Sequence, residues 1–123
     1  MPSAPVVVVV EHETELGRVL RDVLEEDGYD VVRVRDPYGA IGVMRQRSVD
    51  LVVAGLPGPE EQATGPLSEL TGEFPDVALI SVAPPEGAGR PVFGTWRREG
   101  DHITLRQPFR LEDVIAAAHE LVG

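Results

Sequence analysis

Lysine and cysteine are both absent from this 123-residue chain. Without cysteine there can be neither a disulfide nor a thiolate metal site. Without lysine there is no Schiff-base nucleophile and no ammonium group to neutralise a bound anion. All 11 basic residues are arginine, which stays protonated and is a poor general base. Aromatic side chains are scarce: three Phe, two Tyr and a single Trp must serve any core or contact surface that needs them. Long apolar runs are missing too. The longest, Ala4 to Val10 with Pro5 inside it, falls far short of the roughly 20 residues of a membrane-spanning helix. No basic segment precedes it in the manner of a secretory signal. Positive charge is outnumbered, with 21 acidic residues against 11 basic and a net charge of −10. That balance argues against sequence-independent nucleic-acid binding, which displaces counterions with cationic surface, and against anionic membrane surfaces. The expectation is one cytoplasmic domain spanning residues 1–123, large enough to close a single core.

What is present is an alternation of two periodicities. Val6 to Val10 is an unbroken β-branched run of the kind that suits a parallel strand buried on both faces. Glu13 to Asp27 places Leu16, Val19, Leu20, Val23 and Leu24 at helical spacing, with Gly28 as the stop. Val31 to Val34 reads as a second strand, and Pro37 to Arg47, with Ala40, Ile41 and Met44 on one face, as a second helix. Asp50 to Ala54 is a third apolar strand, followed by a helix around Pro66 to Phe74 and a fourth strand from Val77 to Val82. His102 to Leu105 is a weaker fifth strand, and Leu111 to Val122 closes the chain as an amphipathic helix. Strands joined through helices by short connections imply right-handed crossovers and a five-stranded, doubly wound parallel α/β sheet of the flavodoxin-like class. Two stretches interrupt the pattern. Gly58 to Pro66 delays the third helix, and the proline- and glycine-rich stretch from Ala83 to Gly94 argues against a full fourth helix. At most a short helix is expected from about Pro91 to Arg98.

The order of elements, together with Gly28-Tyr29, Ala40-Ile41, Asp50-Leu51-Val52 and Pro108-Phe109, resembles the receiver domain of two-component response regulators over essentially the whole chain. The resemblance implies a phosphorylation pocket at the C-terminal ends of the strands. In that family an aspartate ending the third strand accepts the phosphoryl group, with a proline four residues later. Here Pro59 holds the proline position, but the acceptor position is Gly55. The family's acidic pair falls on Glu11 and His12, its hydroxyl position on Val82, its lysine position on Gln107 and its switch aromatic on Thr104.

Each replacement removes something the chemistry requires. Magnesium wants hard oxygen ligands, and Gly55 offers neither a ligand nor a nucleophile. Val82 has no hydroxyl and Gln107 no charge. Asp50 lies five residues before Gly55, roughly 16 Å away along an extended strand, and is better placed to hydrogen-bond a loop. The resemblance therefore implies a degenerate pseudo-receiver: not an enzyme, with no cofactor and no metal, acting in a phosphorelay-related pathway through a protein partner or a homodimer. The alternative is a small-molecule-responsive module using the emptied pocket.

Other residues invite weaker readings. Glu11, His12 and Glu13 are consecutive and cannot converge on one metal ion, so Glu13 or Thr14 is expected to help start the helix. Gly87-Ala88-Gly89 lacks the strand-to-helix context of a nucleotide loop. Ser81 and His102 or His119 have no spacing that makes a nucleophilic triad. Phe93, Trp96, Arg97 and Arg98 form the candidate interaction face, because tryptophan and arginine are enriched at binding hot spots.

Overall fold

A computed structural model describes residues 4–11, 13–55, 66–83, 96–107 and 109–122. Strand β1 (Val6–Val10) and strand β3 (Leu51–Gly55) are the valine-rich centre of the sheet, and their buried side chains leave no polar alternation. Helix α1 (Thr14–Glu26) follows β1 and ends where Gly28 takes a positive φ of 97°, a conformation that costs glycine little. Strand β2 (Asp30–Val34) then pairs parallel with β1. Helix α2 (Pro37–Gln46) starts on Asp36, whose carboxylate accepts from the Gly39 amide at 2.9 Å, with Pro37 in the first turn. Both are features that favour helix initiation. Helix α3 (Pro66–Glu73) has only eight residues, in keeping with its late start. Strand β4 (Ala78–Ala83) is buried along its whole length.

The order of the sheet is β2-β1-β3-β4-β6-β5, where β6 is His102–Arg106 and β5 is Trp96–Glu99. The first five strands in that order are parallel, and β5 runs antiparallel to β6. The sheet thus has six strands where five were expected, and the segment Trp96 to Arg98, expected at the end of a short helix, is extended. The reason is local. Gly100, at φ 60°, and Asp101 close a two-residue turn, so the chain entering β6 folds back on it as a hairpin.

Helix α4 (Leu111–Val122) packs with α1 on one face of the sheet, over Val7, Val9, Leu51, Val53, Ile80, Val82, Ile103 and Leu105. Helices α2 and α3 cover Val8, Val10, Val52, Ala54 and Leu79 on the other. Among the described residues no helix is long and apolar enough to cross a membrane.

Candidate functional site

Chain order reverses between β1 and β3, since β2 lies on one side of β1 and β3 on the other. In doubly wound sheets the crevice at that reversal, beyond the C-terminal ends of the strands, is where ligands bind. Here the crevice is flanked by Glu11, the residue after β1, and Gly55, the last residue of β3. Both lie on the sheet face that α1 and α4 cover, as do Val82, opposite Gly55 in β4, and Leu105, opposite Val82 in β6.

Glu11 is charged yet only 7% exposed. Its Oε1 accepts a hydrogen bond from the Glu13 backbone amide at 3.1 Å. That amide belongs to the N-cap of α1, so a carboxylate sits at the positive end of the helix, where it is favoured. The helix start is thus served by Glu11 rather than by the side chains of Glu13 or Thr14: Glu13 is the N-cap residue but makes no side-chain cap bond.

The decisive contact lies on the far side of the same carboxylate. A Cβ built on Gly55 would fall on Glu11 Oε2, 2.8 Å from its carboxyl carbon and 3.2 Å from Oε1. Gly55 has no positive φ. The space that a side chain at position 55 would take is occupied by the Glu11 carboxylate. A second glycine works in the same way one turn into α1. Arg33 lies across Gly17 to donate from Nη2 to the Thr14 carbonyl at 3.1 Å, and a Cβ at Gly17 would meet Nη2 at 3.1 Å, Nε at 3.3 Å and Glu11 Cβ at 3.4 Å. Two absent side chains therefore make room for one anion and one cation beside the first turn of α1.

Solved structures with this architecture were found across the full length of the chain. A response regulator from Thermotoga maritima matches with 19% identity, covering 97% of this chain and 98% of its own, at a TM-score of 0.70. A response regulator receiver protein from Sinorhizobium medicae matches with 19% identity, over 96% and 94%, at 0.71. The chemotaxis response regulator CheY4 of Vibrio cholerae matches with 12% identity, over 98% and 100%, at 0.69. The fold is the receiver fold. No family profile and no curated protein matches the sequence.

The receiver fold collects some of the sequence-predicted positions and separates others. Glu11, Gly55 and Val82 come together on one face, and Val82 is 1% exposed, its side chain part of the core rather than the crevice. Gln107 follows β6 and donates its amide to the Ala83 carbonyl at 3.0 Å. Thr104 is half-buried and pairs with Ser81 and Arg97, which places it on the opposite face of the sheet from Val82. His12, Phe93 and the Gly87–Gly89 stretch lie outside the described residues. Asp50 sits at the other end of the strands, where its Oδ2 accepts from the Val6 amide at 2.8 Å and ties the starts of β3 and β1 together.

One pairing was invisible to sequence reasoning. Ser81 Oγ and His102 Nε2 lie 2.7 Å apart, with Glu99 directly opposite His102 across the hairpin. Ser81 is 1% exposed in the middle of β4, so the contact ties β4 to β6. Burial pushes the His102 imidazole below the ordinary histidine range, with the charge of Glu99 pulling weakly the other way. The two residues are 21 positions apart, and only the β4–β6 register (Leu79 opposite His102) could have found them. His119 is also engaged, with Nε2 at 2.6 Å from Asp27 Oδ2 and its ring edge-on to Tyr29.

Proposed function

We propose that this chain is a receiver-type signalling domain, in a two-component or phosphorelay-related pathway, that works by protein contact without taking up a phosphoryl group. The observation that carries the reading is the occupation of the Gly55 side-chain position by the Glu11 carboxylate. A phosphoryl acceptor at that point needs a carboxylate reaching out from β3, with open space in front of it. Here the carboxylate is that of Glu11, the residue after β1, and it is bonded to the start of α1. A hydroxyl at position 82 and a cation at position 107 are lacking as well, so neither position offers a group to bond or neutralise an incoming phosphoryl group. With no phosphoryl-driven change to bias, the domain presents a single surface, and its output is what binds there. The reading makes the protein a non-enzymatic module whose partners are proteins, with no cofactor or metal in its mechanism.

An amide-resolved NMR titration with magnesium and beryllofluoride, an acyl-phosphate mimic, tests the reading. Spectra unchanged at millimolar ligand are the expected result. Saturable shifts centred on Glu11, Gly55 and Val82 would show that the crevice still coordinates a phosphoryl group, and the reading would be abandoned.

A further inference from the structure

The hairpin that replaces the expected end of a fourth helix leaves a sheet edge whose chemistry can be read from the ladder. Leu79 donates its amide to the Asp101 carbonyl at 2.9 Å, and Gln107 donates to Ala83 at 3.0 Å. Odd-numbered residues of β6 therefore turn their backbone groups toward β4, and His102 and Thr104 turn theirs toward β5. Their partners in β5 are Glu99 and Arg97. It follows that Arg98, between them, directs its N–H and C=O away from the sheet. Among the described residues no strand pairs with that edge.

An unpaired edge is a template for another strand, and the side chains of β5 specify which strand fits. Consider two copies of β5 set antiparallel about a two-fold axis normal to the sheet at Arg98. The outward groups of Arg98 then bond reciprocally with those of its symmetry mate. Arg97 falls opposite Glu99 of the other copy, and Glu99 opposite Arg97, in pairs without backbone bonds where side chains approach closest. Arg97 and Glu99 are 80% and 67% exposed and already bridge each other at 2.9 Å within one strand, so their charged ends stand on the same face, ready to exchange partners. The one like-charge pairing in this register, Arg98 with Arg98, is relieved because each Arg98 is held at 2.6 Å by Glu120 of its own α4. Shifting the axis to Arg97 would set Arg97 against Arg97 and forgo both reciprocal Arg97–Glu99 pairs.

We propose that the outer edge of β5 joins two copies of this chain in an antiparallel β5–β5 contact centred on Arg98, with reciprocal Arg97–Glu99 pairs. The proposal rests on the contact-based reading above and names the partner as a second copy. The edge has four residues, which puts the association in the class of small, weak interfaces. Each copy carries a net charge of −10, so the local complementarity must act against long-range repulsion, and 0.15 M salt, with a screening length of about 8 Å, favours it.

Sedimentation equilibrium from micromolar to millimolar concentration at that salt tests the contact. The expected result is a concentration-dependent dimer. Arg97→Glu and Glu99→Arg each place like charges opposite one another and are expected to weaken self-association about tenfold or more. A mixture of the two single variants restores both attractive pairs and is expected to dimerise like the wild type, as is the double exchange R97E/E99R. Unchanged amide spectra outside β5 and β6 verify that the variants remain folded. A wild-type chain that stays monomeric, or single variants that dimerise undiminished, would overturn the proposal. Monomers with a flat beryllofluoride titration would remove only the dimer, whereas beryllofluoride shifts would remove the reading of the crevice whatever the sedimentation shows.

Discussion

Replacing Gly55 by alanine adds one methyl group at a site whose backbone any residue can adopt. In an ordinary strand that change stabilises by about 0.4–1 kcal/mol, because it narrows the unfolded ensemble. Here the new methyl would land on Glu11 Oε2. The obstacle is the end of a flexible side chain, so the backbone need not move, but the carboxylate must leave. Leaving breaks its bond to the Glu13 amide, and hydrogen bonds to charged groups contribute about 1.5–3 kcal/mol. Subtracting the alanine gain leaves a net loss of about 0.5–2.5 kcal/mol, or a fall in midpoint of several degrees for a chain of this size. The companion substitution Glu11→Ala removes the obstacle. In that background Gly55→Ala should stabilise by about 0.4–1 kcal/mol, so the same mutation changes sign. Urea unfolding of the four proteins measures the coupling, expected near 2 kcal/mol for residues in direct contact. An equal effect of Gly55→Ala with and without Glu11 would refute the interlock.

Four further outcomes follow from the same structure. Gly55→Asp, which restores the family's acceptor type at the cost of displacing the Glu11 carboxylate, should still leave the beryllofluoride titration flat, since position 82 has no hydroxyl and position 107 no cation; saturable binding by this variant would contradict that. The His102 imidazole is harder to protonate in the folded chain than in the unfolded one, so the unfolded state binds more protons below about pH 6.5. Stability should therefore be flat above that pH and decline as pH falls through the window beneath it. Thermal melts of wild type and His102→Gln check the sign, the variant losing that part of the slope. Asp50→Ala should cost about 1 kcal/mol by removing the acceptor of the Val6 amide, without altering the amide signals of the crevice at the far end of the strands. Leu24→Ala, in a fully buried position of α1, should cost about 2–5 kcal/mol in denaturant unfolding; a loss below 1 kcal/mol would mean that α1 is not packed as described.

The architecture was legible in the sequence because burial on two faces leaves a one-dimensional trace. Val6 to Val10 could be read as a central strand because a parallel strand between helices has no solvent side. Leu20, Leu24, Val114 and Ala118 could be placed on inward helix faces because their spacing follows the helical turn. Gly55, Val82 and Gln107 stood out only through the resemblance to receiver domains, against whose pattern each lacks a functional group. What the sequence could not state is what fills a missing side chain's volume. That Glu11 turns across the reversal between β1 and β3, and that Gly17 lets Arg33 pass over α1, depends on distances between residues 16 to 44 positions apart. The strand at Trp96 to Glu99, where at most a short helix was expected, was missed for the same reason. Four polar and aromatic residues carry no clear period, and the choice of strand over helix fell to the Gly100-Asp101 turn and to β6, whose open edge supplied the hydrogen bonds that the segment could not supply for itself.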